Sequence, residues 1–167
     1  MTRESTLSVR RCGPDDWSGL RAIRLEALAD TPDAYGSTYE ENVRWRDIQW
    51  KNAATNRLYY LAERDGRVVG MVSGGFNDGY PGTRWLYGMY VTPSERGTGT
   101  AALLVRAIDD WAKNEGVDEV YLHVTTSVAR ARAFYEKRGW TLTGRTRVVP
   151  YPPHPIDVEY ARSTLRS

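Results

Sequence analysis

Apolar and polar side chains alternate along several short segments of the chain, and a period of two residues is typical of a β-strand. Turn-type sequences, Asp65-Gly66 and Asn77-Asp78-Gly79, separate three consecutive segments, which are therefore predicted to form an antiparallel meander. The predicted strands are Leu7–Arg11, Leu58–Glu63, Val68–Phe76, Arg84–Val91, Glu119–Val124, Trp140–Val148 and Ile156–Arg162.

Other segments repeat their apolar residues every three to four positions, which indicates α-helices with one buried face. The first runs from about Pro14 to Ala29. The second begins at Thr38, which forms a capping box with Glu41, and is expected to reach about Ala54. Two further helices are predicted, one from the glycines at 97 and 99 to about Gly116 and one over Ser127–Arg138.

The order of these elements predicts a mixed α/β fold, with a mostly antiparallel sheet of about seven strands and about four helices. A helix connects the strands at Arg84–Val91 and Glu119–Val124, and such a crossover makes two strands parallel. Residues 1–167 show no linker-like stretch, so they are expected to form a single domain.

Composition and charge narrow the class of protein. The formal net charge of +2 gives no reason to expect nucleic acid as a partner, and no apolar run approaches the roughly 20 residues of a membrane span. Cys12 is the only cysteine, which excludes an intrachain disulfide, and no metal site is predicted. The polar start, Met1 to Gly13, lacks the apolar stretch of a signal peptide, so a reducing cytoplasm is expected.

Gly97 and Gly99 lie where the third helix begins, although glycine there costs helix stability about 1 kcal/mol each. The helix behind them is strongly amphipathic, with an apolar stripe at Leu103, Leu104, Ala107, Ile108 and Trp111. Glycines let the backbone present several N–H groups at a helix N-terminus, which favours a phosphate, and Arg96 would add a charge. The alternative is a plain glycine-rich turn.

Other phosphate-binding loops fit this stretch less well. The nucleoside-triphosphate loop needs Gly-Lys-Ser/Thr, whereas Thr100-Ala101 follows Gly99. The dinucleotide fingerprint has a third glycine where this chain has Ala102, and it belongs to an early strand–helix–strand unit.

Two motifs together resemble the GNAT superfamily of acetyl-CoA-dependent N-acetyltransferases. The first is the Arg/Gln-x-x-Gly-x-Gly/Ala loop, matched by Arg96–Ala101 and preceded by "YVTP". The second is "VARARAFYEKRGW", in which Ala131, Phe134, Tyr135, Gly139 and Trp140 fall in place. The resemblance covers Trp85 to Trp140. One departure is Val128, which stands where the family usually has an asparagine that contacts the pantetheine arm. Ser127 or Thr126 would then replace that contact.

The resemblance implies a GNAT acyltransferase fold whose fourth and fifth strands splay apart and receive the pantetheine of acetyl-CoA like an extra strand. It implies that the loop holds the pyrophosphate and that Tyr135 is the general acid near the sulfur. The residues that it assigns to the cofactor are Met89, Val91, Arg96, Gly97, Thr98, Gly99, Thr100, Ala101, Val128, Ala131 and Phe134.

The chemistry of Tyr135 allows this role without a complete proton transfer. A phenol has a pKa near 10 and a thiol near 8.5, so moving the proton to a thiolate is uphill by roughly 2 kcal/mol. A hydrogen bond to the developing thiolate is sufficient for a contribution on the order of 10²-fold. The alternative is a core aromatic residue on an amphipathic helix.

The general base is left open by the sequence. Many family members have a glutamate at the strand position that Trp85 occupies here. Tyr87 shares the strand face of Trp85, His123 has a suitable intrinsic pKa, and Glu40 and Glu41 lie in a region that often borders the acceptor. Each also has a structural explanation, and a water path to bulk solvent is the default.

The expected acceptor is a primary amine of a small molecule, such as an antibiotic or an amino-acid-like metabolite. Residues 29–41 and the "PYPPHP" turn at 150–155 are expected to select it, and aromatic side chains would attract a cationic amine. The alternatives are a protein lysine or N-terminal acetyltransferase and a non-catalytic acyl-CoA-binding module. The sequence leaves the oligomeric state open, and a homodimer through the final strands is common in the family that the chain resembles. The aromatic set is Tyr35, Tyr39, Trp45, Trp50, Tyr59, Tyr60, Trp85 and Tyr87.

Overall fold

A single seven-stranded sheet organises the chain, with the strand order β1-β2-β3-β4-β5-β7-β6. The computed structural model describes residues 4–150 and 152–165. All pairs are antiparallel except β4 with β5, as the crossover helix predicts. The strands are β1 (Leu7–Arg11), β2 (Leu58–Arg64), β3 (Arg67–Gly75), β4 (Arg84–Val91), β5 (Glu119–Thr125), β6 (Thr141–Val148) and β7 (Ile156–Ser163).

Residues 4–150 and 152–165 form five α-helices, one more than the sequence predicts, because the second predicted helix is interrupted. Thr38 and Glu41 form the expected capping box, but the first piece ends at Val43. Arg46 then adopts an extended backbone, and Trp45 packs on Trp50 with ring centroids 4.9 Å apart. The helices are α1 (Trp17–Asp30), α2 (Tyr39–Val43), α3 (Asp47–Asn56), α4 (Thr100–Asn114) and α5 (Ala129–Lys137).

Two apolar cores lie on opposite faces of the sheet because strand side chains alternate between the faces. On one face, α1 and α3 bury Leu20, Ile23 and Trp50 against β2 to β4. On the other face, α4 and α5 pack on the sheet. There the buried stripe of α4 differs from the predicted one, because Leu103 is 38% exposed. The buried residues of α4 are Thr100, Leu104, Val105, Ile108 and Ala112.

The sheet opens between β4 and β5. The two strands pair only at Arg84 with Val120 and at Trp85 with Tyr121, and then separate. A bulge in β4 lies at the point of separation, since the register with β3 shifts between Tyr87 and Tyr90. Gly88 lies in this bulge with φ of +58°, a backbone conformation that favours glycine.

Two connections differ in how well the sequence predicts them. Asp65 and Gly66 form the predicted two-residue hairpin turn with positive φ values of 53° and 82°. The connection from β3 to β4 is longer than the predicted Asn77–Gly79 turn and runs over residues 76–83. Met1 and Tyr151, which belong to the predicted polar start and to the proline-rich turn, lie outside the described residues.

Candidate active site

A cavity of about 860 Å³ lies where β4 and β5 separate. Four of the residues that the sequence assigns to catalysis or cofactor binding line it. Val91, Phe134 and the glycine loop are not among the lining residues. The four lining residues are Met89, Val128, Ala131 and Tyr135.

The open edge of β4 exposes the backbone of Met89 and Val91 toward the gap. Thr92 N donates to Val69 O at 2.8 Å, so Thr92 and, by alternation, Tyr90 face β3. The backbone groups of Met89 and Val91 therefore face away from β3. Their carbonyls accept from side chains instead: Tyr35 donates to Met89 O at 3.1 Å and Arg96 Nε donates to Val91 O at 3.2 Å.

The glycine loop presents a row of free backbone donors at the N-terminus of α4. Gly97 and Gly99 have φ of +80° and +90°, and a β-carbon on either would meet open space. The first helical bond of this turn is Leu103 N to Gly99 O. Among residues 4–150 and 152–165, the N–H groups of residues 97–102 donate no hydrogen bond of good geometry. Successive free amides at a helix N-terminus suit a phosphate, so the loop fits the pyrophosphate of acetyl-CoA.

The side chains of the loop are turned inward. Arg96, expected to add charge for the phosphates, forms an ion pair with Asp30 at 2.9 Å, so its charge is partly compensated. Thr98 donates to Glu95 O at 2.6 Å, and its hydroxyl lies 3.0 Å from that of Thr100, which is buried. Any contribution of the loop to anion binding therefore comes mainly from its backbone.

The sequence leaves two alternatives for Tyr135, a residue of the core and a residue of the active site. In the structure it packs in the core and also lines the cavity. Its side chain is only 5% exposed, and its ring packs edge-on against Phe134 and Trp140, with centroids 5.1 and 5.7 Å away. Burial raises the pKa of the hydroxyl above its ordinary value, and the charge of a nearby Tyr35 phenolate would raise it further. The hydroxyl therefore stays protonated at neutral pH and is able to donate.

The other residues of the second motif differ in whether they reach the cavity. Phe134 is half-buried and packs against the core, with the Arg138 guanidinium 3.8 Å from its ring centroid. Val128 precedes α5 and brings no polar group to the cavity. Neither Thr126 nor Ser127 lines the cavity, whereas Thr125 does, with its hydroxyl donating to Asp157.

The structure separates the residues predicted as the general base. Glu40 is exposed and Glu41 accepts from Thr38 N at 3.0 Å, and neither lines the cavity. Trp85 is fully buried. Tyr87 and His123 do line the cavity.

Burial moves the pKa values of the two remaining groups in opposite directions. It raises the pKa of Tyr87, which stays protonated, and it lowers the pKa of His123, with the charge of Arg147 as the second cause. The Nε2 atom of His123 lies 3.8 Å from the buried Glu159, and its Nδ1 has no hydrogen-bond partner among the described residues. His123 is thus a neutral imidazole that lines the cavity, and its unpartnered Nδ1 atom is buried.

Sequence reasoning missed the charged residues that line the cavity. Arg24 of α1 lies beside the β4 bulge, where a β-carbon at position 88 would be 3.4 Å from Nη1. Asp157 of β7 pairs with Arg147 of β6 at 3.0 Å. The available signal for Arg24 is its position in the apolar stripe of α1, four residues after Leu20 and four before Leu28.

The predicted aromatic set is mostly used for packing. Trp50 and Trp85 are buried in the cores. Only Tyr35, Tyr59 and Tyr87 line the cavity. The ring of Tyr35 already carries the Arg24 guanidinium, 5.0 Å from its centroid.

Comparisons with known proteins agree with this geometry. The model of the Acetyltransferase (GNAT) family matches residues 20–140. Mycothiol acetyltransferase of Thermobispora bispora is 32% identical over 135 residues, which cover 77% of this chain and 44% of that protein. L-2,4-diaminobutyric acid acetyltransferase of Nocardia farcinica is 33% identical over 87 residues, which cover 50% of this chain and 45% of that protein.

Solved structures extend the likeness to nearly the whole chain. The Salmonella typhimurium protein yncA, solved with its cofactor acetyl-CoA, superimposes with a TM-score of 0.73 at 17% identity. The match covers 97% of this chain and 96% of that one. At this level of identity the likeness shows the fold alone.

The split sheet and the glycine loop thus define an acetyltransferase-type fold. The chain belongs to the Acetyltransferase (GNAT) family, as its two sequence motifs predicted. It spans less than half the length of the two curated relatives described above. None of the helices within residues 4–150 and 152–165 is long and apolar enough to cross a membrane.

Proposed function

We propose that this protein transfers the acetyl group of acetyl-CoA to a primary amine of a small molecule. The observation that carries the proposal is the row of free amides at residues 97–102, next to an open β4 edge that leads to the cavity below Tyr135. A phosphate site followed by a groove beside an open strand matches the pyrophosphate and the pantetheine of acetyl-CoA. The loop residues 96–101 would hold the pyrophosphate, and the backbones of Met89 and Val91 would hold the pantetheine.

Acetyl-CoA supplies an activated acetyl thioester. In the proposed reaction the neutral acceptor amine forms a bond from nitrogen to the carbonyl carbon, and the carbon–sulfur bond breaks. The electron pair of that bond leaves with the sulfur, and the nitrogen loses one proton. The products are an N-acetylated acceptor and free CoA.

Tyr135 is proposed to act on the departing sulfur. Its raised pKa makes complete proton transfer to a thiolate more unfavourable than it is for an ordinary tyrosine. Its hydroxyl is instead suited to donate a hydrogen bond while negative charge develops. The thiolate then takes its proton from solvent.

His123 is the side chain best placed to accept the amine proton. Because burial lowers the pKa of His123, the imidazole is neutral at pH 7 and able to accept a proton. Tyr87 is protonated at this pH and has no basic site to offer. A water path through the open cavity to bulk solvent is the alternative acceptor.

The small-molecule class is supported by two relatives that are named for small molecules, mycothiol and L-2,4-diaminobutyric acid. The diaminobutyric acid acetyltransferase of Nocardia farcinica is named for an amino acid. The non-catalytic module remains a second candidate because Val128 removes the usual polar contact. A cytoplasmic location and a homodimer through the last strands, where Leu142 and Val148 are exposed, belong to the same proposal.

A two-part measurement tests the proposal. Calorimetric titration with acetyl-CoA reports binding, and thiol release with small amines, aminoglycosides and lysine peptides reports transfer. We expect binding, and turnover with one class of small amine. Binding without turnover on any amine would favour the non-catalytic module, turnover on peptides alone would favour a protein acetyltransferase, and absent binding would exclude all three.

A further inference from the structure

Arg24 is held in a defined position inside the cavity. Its Nη2 donates to Ser37 Oγ at 2.8 Å, and its guanidinium lies 5.0 Å from the centroid of the Tyr35 ring. Ser37 Oγ in turn donates to Asn42 Oδ1 at 3.0 Å, and Asn42 is only 3% exposed. This arrangement differs from a solvated surface arginine, because Ser37 and Tyr35 contact the cation and Asn42 fixes Ser37.

The Arg24 guanidinium lies at the point where β4 and β5 separate. A β-carbon at position 88, in the β4 bulge, would be 3.4 Å from Nη1. The glycine loop follows the other end of β4, beyond Val91. The proposed phosphate site and Arg24 are therefore at different ends of the groove, so Arg24 faces the acceptor rather than the phosphates.

The charges that line the cavity do not balance. Both of its carboxylates are already paired, Asp157 with Arg147 at 3.0 Å and Glu115 with Arg84 at 3.3 Å. No carboxylate among residues 4–150 and 152–165, the side chain of residue 33 excepted, lies within ion-pair distance of three other arginines. These three lining residues are Arg11, Arg24 and Arg57.

We infer that the acceptor amine also carries a carboxylate, and that Arg24 binds this carboxylate. The inference rests on the proposed function and specifies its substrate as an amino acid or a similar amine-bearing acid. A guanidinium presents several N–H donors in a plane, which matches the two oxygens of a carboxylate. The unpaired positive charge disfavours a polycationic acceptor of the aminoglycoside type.

Binding and turnover with matched pairs of compounds test the inference. The probes are L-amino acids, diamino acids among them, each compared with its primary amide, which keeps the amine and removes the negative charge. Each compound is titrated calorimetrically into the protein saturated with CoA, and acetyl transfer is followed separately by thiol release. We expect the best acid to bind on the order of 10²-fold more tightly than its amide, and to be favoured similarly in kcat/KM.

Variants assign the preference to Arg24. Arg24→Gln is expected to reduce the ratio of acid to amide to near one, and Arg24→Lys to restore part of it. Arg21→Gln removes an arginine of the same helix that does not line the cavity, and it should leave the ratio unchanged. Calorimetry of acetyl-CoA should give the same affinity for all three variants.

The failure of the inference is distinguishable from the failure of the proposed function. Equal binding of acid and amide, binding of neither, or an acid preference that survives in Arg24→Gln would each overturn the inference while acetyl-CoA still binds. If acetyl-CoA itself does not bind, the proposed function fails. Amidation makes a neighbouring α-amine less basic and thus more often neutral, so an acid preference in turnover would arise against that chemical bias.

Discussion

The hydroxyl of Tyr35 donates to the carbonyl oxygen of Met89 at 3.1 Å, so an aromatic residue of the α1–α2 connection closes the open edge of β4. Met89 is one of the two residues whose backbone is proposed to hold pantetheine. A cofactor that uses this carbonyl must first displace the Tyr35 hydroxyl. In the free protein the Tyr35 side chain therefore fills the hydrogen-bonding place on the Met89 carbonyl that the pantetheine is proposed to take.

Tyr35→Phe is expected to raise the affinity for acetyl-CoA. The substitution keeps the ring on Arg24 and removes the competing donor, which is worth about 0.5–1.5 kcal/mol net, or up to about tenfold in the dissociation constant. Calorimetric titration of both proteins measures the change. Weaker binding by the variant would show that the hydroxyl holds the cofactor instead of competing with it.

Tyr135→Phe is expected to lower kcat on the order of 10²-fold and to leave acetyl-CoA affinity within about twofold. The ring stays packed between Phe134 and Trp140, so only the proposed donor to sulfur is removed. Steady-state kinetics and calorimetry separate the two effects. Unchanged turnover would show that Tyr135 has only a packing role in the core.

Gly99→Ala is expected to weaken acetyl-CoA binding by tenfold or more. Alanine at φ near +90° costs roughly 1–2 kcal/mol, and the loop relieves that strain by turning its amides away from the ligand. Gly116→Ala is the matched control, because Gly116 also has a positive φ, of +73°, and open space around it, but ends α4 at the far side. Equal loss of affinity in both variants would indicate a general effect of backbone strain.

Protein stability is expected to fall as the pH drops below about 6.5, and His123 is expected to cause part of the fall. Its pKa is lowered in the folded state, so between its folded and unfolded pKa values the unfolded chain binds more protons and stability rises with pH. The contribution is complete above the unfolded value and is lost toward acid. Urea unfolding at pH 7.5, 6.5 and 5.5 measures it.

The two histidines of the chain provide the control for this pH effect. His123→Gln should flatten the dependence between pH 7.5 and 5.5. His154→Gln, at an exposed position, reports the background change. A slope in His123→Gln that equals the wild-type slope would assign the acid sensitivity to other groups.

His123→Gln is also expected to lower kcat/KM by about 10- to 100-fold if the imidazole accepts the amine proton. The pH profile of kcat/KM should then lose its acidic limb. A water path to bulk solvent predicts no more than a small change in either quantity. The measurement thus chooses between the two proton acceptors.

Local signals in the sequence were sufficient for most of the fold. Each strand was predicted within about two residues of its observed ends, because alternation and turn residues are properties of neighbouring positions. The break between α2 and α3 was not predicted. It coincides with an extended Arg46 and with the packing of Trp45 on Trp50, and the apolar period alone does not show such an interruption.

The same distinction applies to the candidate site. The glycine loop was readable because its donors come from consecutive residues. The pairing of Arg96 with Asp30 and the approach of Arg24 to Gly88 join parts of the chain that are distant in sequence. The helical period places Arg24 in the apolar stripe of α1, but no single-sequence pattern shows which distant residue such a side chain meets.

The two-residue pairing of β4 with β5 has a mechanical consequence. The sheet consists of two plates, β1 to β4 and β5 to β7, joined by a short seam and by the packing of α4. A pantetheine bound in the gap would hydrogen-bond to the strands on either side and link the two parts of the sheet. The ligand would then contribute to the stability of the sheet itself. Amide hydrogen exchange in β4 and in β5 should therefore slow together when acetyl-CoA binds.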